Sequence, residues 1–142
     1  MSRPSSAAPA GYSGTPLIQK LGIKASHRVA IRQEPPTFAA SLGPLPPGVR
    51  LVRGSAGVLD VIVVFFKTER ELQRRFAVLA ERLAPAGMLW IAWPKKSSGV
   101  PSDLSENRVR EIGLAEGLVD VKVCAIDETW SGLKFVRRLK DR

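Results

Sequence analysis

The segment from Val58 to Phe66, VLDVIVVFF, is apolar at nearly every position instead of at every second one. A strand with one face in water alternates polar and apolar residues, so a run apolar on both faces has to be covered on both sides. Thr68 and Glu71 follow with the spacing of a capping box. Leu72, Phe76, Leu79 and Leu83 then recur at intervals of four, three and four, which draws one apolar stripe along a helix. Pro85-Ala86-Gly87 is expected to stop that helix, and Met88 to Trp93 reads as a second buried strand. Strand, helix, strand in this order requires a right-handed crossover between parallel strands. The chain is therefore expected to be a three-layer α/β fold, with helices on both faces of a mostly parallel sheet.

The remaining elements extend the pattern. Thr15 to Leu21 fits a short helix, capped by Thr15, started by Pro16 and closed by Gly22. Arg28 to Ile31 is a β-prone run, Thr37 to Leu42 a helical turn or two set between proline-rich breaks, and Val49 to Val52 a weak strand. Beyond Trp93, Asp103 and Glu106 have the spacing of another capping box, ahead of a helix carrying Leu104, Val109 and Ile112, with Gly117 at its end. Val119 to Ile126 and Leu133 to Leu139 are expected to pair as an antiparallel hairpin across a turn at Asp127 to Gly132.

At 142 residues the chain has the length of one domain. Met1 to Gly14, rich in Ser, Ala, Pro and Gly, reads as a disordered tail, and residues 15–142 as a single domain. The longest apolar run is far short of the ~20 residues needed to cross a bilayer. A lone cysteine and no export signal lead to an expectation of a cytoplasmic protein with no membrane partner. The net charge is +9, and the first fifty residues carry six Lys and Arg against Glu34 alone. Such an excess favours a phosphate-bearing small molecule, a nucleic acid or an acidic protein as partner.

In an open parallel sheet, ligands bind beyond the carboxyl ends of the strands, where the loops converge. Here that edge is expected to gather Gln33-Glu34, Lys67-Thr68, the stretch from Trp93 to Gly99, and Asp127 to Trp130. Lys95 and Lys96 offer charge, Ser97 and Ser98 hydroxyl donors, and Gly99 a tight path into a helix start, a combination suited to a phosphate or carboxylate. Asp127, Glu128 and Trp130 would hydrogen-bond and stack on a sugar or base; alternatively the acids neutralise the lysines and Trp130 covers the core. Trp93 reads as core with Trp90, Phe65 and Phe66, although beside Pro94 it could reach the same cleft. His27 has no second histidine, so no metal site is expected, and Cys124, in mid-strand, reads as an inert thiol.

The order of elements, with VLDVIVVFF, LAPAGMLWIAWP and the closing hairpin, resembles the second half of a class I S-adenosylmethionine-dependent methyltransferase. That resemblance implies a small Rossmann-like sheet with an antiparallel carboxy-terminal hairpin strand. WPKKSSGVPSDLSEN and VDVKVCAIDETWSGLKFVRRL are also similar to a family of small bacterial proteins known as a domain of unknown function. A methyltransferase of this class follows its first strand with a glycine-rich turn and ends the next in an acid that holds the ribose. This chain has RQEPPTF and Arg53 there, so no cofactor is assigned.

The first expectation for function is thus a non-catalytic α/β protein holding an anionic ligand, a nucleotide or nucleic acid, at the carboxyl edge. The alternatives are a divergent methyltransferase-like enzyme, an acid/base catalyst using Asp127, Glu128 or Glu34, and a protein-interaction module. No catalytic residue is assigned.

Overall fold

The structure is a computed structural model and describes residues 14–142; the tail expected over Met1 to Gly14 lies almost wholly outside the described residues. Six strands form one sheet: β1 (Arg28–Arg32), β2 (Arg50–Leu51), β3 (Leu59–Phe65), β4 (Leu83–Pro94), β5 (Leu118–Ala125) and β6 (Trp130–Arg137). Their spatial order is β2-β1-β3-β4-β6-β5, parallel from β2 to β4 and antiparallel through β6 and β5. Helices α1 (Leu17–Leu21) and α2 (Phe38–Leu42) cover one face, and α3 (Glu69–Glu81) and α4 (Glu106–Ala115) the other. The expected three-layer architecture is the one found.

Residues Val61 to Val64 of β3 are wholly buried, and their side chains divide between two cores. Ile62 and Val64 meet Leu72, Phe76 and Ile112 under α3 and α4, while Val61 and Val63 meet Leu17, Leu21 and Phe38 under α1 and α2. This division is what a doubly apolar strand encodes. The indole of Trp90, also buried, donates from Nε1 to the carbonyl of Leu21 at 2.9 Å and so ties α1 to the sheet.

Three local expectations are corrected. Pro85-Ala86-Gly87 does not end α3, which stops at Glu81. These residues belong to β4, whose register against β3 jumps from Leu59↔Leu83 to Val61↔Met88. A Cβ on Gly87 would come within 3.0 Å of the Leu59 carbonyl oxygen, so glycine permits the strands to close across this irregularity. Asp103 does not cap α4. Ser105 does, accepting from the Arg108 amide at 3.2 Å, and Asp103 instead reaches back to accept from the Glu69 amide of α3 at 2.8 Å. Finally, β6 begins at Trp130, three residues before the expected strand, because Asp127 Oδ1 accepts from the amides of Thr129 and Trp130 and tightens the hairpin turn.

Gly113, a weak helix former in mid-α4, has a tertiary reason. A Cβ there would lie 2.1 Å from the Phe135 ring, so its absence lets α4 settle onto β6.

Candidate functional site

Strands β1, β3 and β4 end side by side at Arg32, Phe65 and Pro94, and β6 begins opposite Pro94. Segments 33–37, 66–68, 95–105 and 126–129 therefore meet at one edge. From β1 the chain adds β2 on one side of the sheet and returns to place β3 on the other, so the switch point lies between β1 and β3.

A side-chain bridge spans that point. Gln33 has φ 60, a left-handed conformation that non-glycine residues rarely adopt. Its Nε2 donates to the Phe65 carbonyl at 2.5 Å, and its Oε1 accepts from Arg75 Nη1. The Arg75 guanidinium also lies over the Phe66 ring, 5.8 Å from its centroid. Gln33 was expected at this edge, but nothing in the local sequence signals its backbone conformation or its partner, 42 residues distant in the chain.

The loop after β4 spends many of its donors within the protein. The Lys95 ammonium donates to the backbone carbonyl of Asp127 at 2.9 Å, not to its carboxylate, so the expected neutralisation by that acid is not what joins the two loops. Ser98 Oγ donates to the Lys95 carbonyl at 2.6 Å and accepts from the Val100 amide at 3.2 Å. Ser102 Oγ donates to the Lys67 carbonyl at 2.7 Å, fastening the loop to the end of β3. Lys96, Ser97 and Glu128 are exposed. Trp93 and Trp130 are only 5% and 7% exposed; Trp130 packs edge-on against Phe65 with centroids 5.0 Å apart. Both indoles cover the core and offer no open stacking face.

Away from this edge, His27 Nδ1 accepts from the Lys24 amide at 3.1 Å, and burial pushes the half-buried Cys124 thiol above its ordinary pKa, away from the reactive thiolate. Among the described residues no group of three or more His, Cys, Asp or Glu could hold a metal ion, and no helix is long and apolar enough to cross a membrane.

At the ends of β1 and β2 lies a cavity of about 40 Å³, lined by Ile31, Arg32, Glu34, Leu51, Val52 and Arg53. A shallow groove of about 330 Å³ runs over the first two turns of α3, along Thr68, Arg70, Glu71 and Arg74. A further groove of about 320 Å³, with Arg137 beside Glu81, Glu116 and Asp141, lies at the ends of α3 and α4 and takes no part in the carboxyl edge.

This sheet, with its switch point and closing antiparallel hairpin, has the Rossmann-like fold of class I S-adenosylmethionine-dependent methyltransferases. Among solved structures, a methyltransferase of this kind from Aquifex aeolicus superposes with a TM-score of 0.55 at 14% identity, covering 84% of this chain and 86% of that one. The magnesium protoporphyrin IX methyltransferase of Synechocystis with bound S-adenosylmethionine gives 0.56 at 9%, over 86% and 74%. A TehB-like methyltransferase from Corynebacterium glutamicum gives 0.53 at 12%, over 86% and 85%. No family model and no curated protein matches the sequence. These likenesses overturn the first expectation, of a non-catalytic anion binder, in favour of the methyltransferase-like alternative. The Ser98 hydroxyl, which that expectation reserved for a ligand, donates within the protein, as does one of the three N–H groups of Lys95.

The residues at the switch point do not fit S-adenosylmethionine in the pose that a glycine-rich turn supports. Pro35 and Pro36 have no amide to offer, Gln33 already occupies the gap between β1 and β3, and the cavity on the other side of β1, at the ends of β1 and β2, is a small fraction of the ~300 Å³ at which ligand pockets begin. Arg53 stands where an acid would hold the ribose; Glu34, beside it in the cavity, comes from the wrong strand.

Proposed function

We propose that this chain is a divergent S-adenosylmethionine-dependent methyltransferase-like enzyme working at the carboxyl edge of its sheet, with the switch point held closed by the Gln33 bridge. The observation that supports this most directly is the strand order β2-β1-β3-β4-β6-β5, which puts a switch point between β1 and β3 and turns the exposed loops toward it. The similarity of WPKKSSGVPSDLSEN to a family of small bacterial proteins belongs to the same reading. On this reading the exposed Lys96, Ser97 and Glu128 are the groups open to an acceptor, while Lys95, Ser98 and Asp127 hold the loops that carry them and Trp93 and Trp130 pack beneath.

Of the features that oppose the cofactor, the Gln33 bridge is the one that can open, and binding in the gap between β1 and β3 requires it to do so, which lowers apparent affinity by the fraction of molecules that are open. Titration calorimetry with S-adenosylhomocysteine and S-adenosylmethionine tests this on the whole chain and on Gln33→Ala. Saturable heat in the wild type, with affinity raised about tenfold in Gln33→Ala, is expected. No heat in either protein at millimolar ligand overturns the reading.

A further inference from the structure

The basic residues of this protein are not balanced evenly. The four ion pairs found among the described residues all involve Arg108 or Arg110 of α4, with Glu69, Glu111, Glu106 and Asp120 as partners. On the opposite flank of α3, arginines gather around the loop that links β2 to β3, and their partners are neutral. Arg32 donates to the carbonyls of Val52 and Arg53, both at 3.0 Å, and Arg82 to those of Gly54, Ala56 and Gly57 at 2.9, 2.7 and 3.1 Å. The Gly54 carbonyl also lies 3.4 Å from Arg32 Nη2, so two guanidinium groups converge on one oxygen. Arg75 is held by the neutral amide of Gln33, and Arg53 is exposed.

A carbonyl satisfies a guanidinium donor but leaves its charge in place, so crowding of this kind carries a repulsion that an external anion relieves. Arg32 registers the crowding: burial first, then repulsion from Arg82, Arg75 and Arg53, lowers its pKa, with Glu34 opposing. The loop adds donors of its own. Its carbonyls turn to Arg28, Arg32 and Arg82, whereas the amides of Gly54, Ser55, Ala56 and Gly57 donate to no group among the described residues. Further round α3, on its outer side, Arg70 and Arg74 add charge along an open groove over the first two turns, where Glu71 is the one acid in the lining.

We infer that this face, from the 52–58 loop across Arg75 and Arg82 to Arg70 and Arg74, binds the phosphate backbone of a nucleic acid. The charge is strung along a loop and a helix instead of enclosing a pocket, which suits a polymer better than a single small anion. The donors are arginine forks and backbone amides, both matched to phosphate oxygens. The inference stands independently of the proposed enzyme, although the face begins at Arg75, beside the switch point, and would deliver a strand to that edge.

Fluorescence anisotropy of the whole chain tests it, with a labelled 20-nucleotide single-stranded RNA, the same sequence as DNA, and the DNA duplex, at 50 and 200 mM salt. Binding that weakens about fifty-fold across that range is expected for four phosphate contacts on a single strand. Arg53→Glu/Arg74→Glu alters two exposed side chains and is expected to weaken binding at least tenfold. Arg138→Glu/Lys140→Glu, which makes the same change of charge at the exposed carboxy terminus, is expected to leave it within twofold. Should Arg53→Glu/Arg74→Glu melt early, Arg53→Gln/Arg74→Gln serves in its place, with a loss of at least threefold expected. Equal loss in both faces overturns the assignment, as does absence of binding at 50 mM salt. Displacement of the RNA by polyglutamate at equal charge concentration overturns it too, in favour of an acidic protein. The RNA, DNA and duplex arms show which nucleic acid the face prefers.

Discussion

Lys134 lies midway along β6 with its ammonium 5.8 Å from the centroid of the Trp90 ring and 3.9 Å from the Met88 sulfur. Burial, and secondarily repulsion from Lys122, lowers its pKa from the ordinary 10.5, with Cys124 opposing. In the window between that lowered value and 10.5 the unfolded chain holds more protons than the folded one, so stability rises with pH; below both values the charged side chain opposes folding. Lys134→Met should therefore melt higher than the wild type at pH 7, and the difference should shrink as the pH is raised past 10.5. Thermal melts at a series of pH values measure this, and a difference independent of pH would assign it to packing instead. Gln33 is the residue-scale counterpart at the candidate site, since one uncommon backbone angle and two hydrogen bonds convert an open gap into a closed one.

At the scale of elements, α3 receives two caps from different parts of the chain. Thr68 Oγ1 accepts from the Glu71 amide at 3.3 Å, as the S/T-x-x-E pattern predicts, and Asp103 supplies the second from the loop after β4. A cap of this kind contributes about 1 kcal/mol, so Asp103→Ala is expected to lower the melting temperature by about 4 °C, while Asp103→Asn stays close to wild type. Equal melting of Asp103→Ala and the wild type would show that the cross-loop cap contributes nothing. The pairing also fixes the path of the 95–105 loop, because Ser102 and Asp103 both attach it to the start of α3. The exposed Lys96 and Ser97 thus stand on a loop anchored at both ends, at Lys95 and at Ser102.

At the scale of the molecule, the sheet has a buried centre and two unlike edges. β3 and β4 are paired on both sides and sealed by helices, β2 is two residues long, and β5 shows Val121 and Val123 to solvent beside a register shift. Native-state hydrogen exchange should find the slowest amides in β3 and β4 and much faster ones on the outer side of β5. Amides of β5 as slow as those of β3 would mean that this edge is covered in solution. By itself the sequence determined the layer architecture, the central strands, α3 and its first cap, and the antiparallel closing hairpin. Those features rest on periodicity and short-range spacing, where each residue's neighbours are already present in the string. Tertiary structure alone decided that Asp103 caps a helix that ends well before it in the chain, which of the two readings of Trp130 holds, that Lys95 answers a carbonyl, and that Gln33 and Arg75 meet across the switch point. Each of these depends on partners tens of residues away, which only the packed sheet brings within hydrogen-bonding distance.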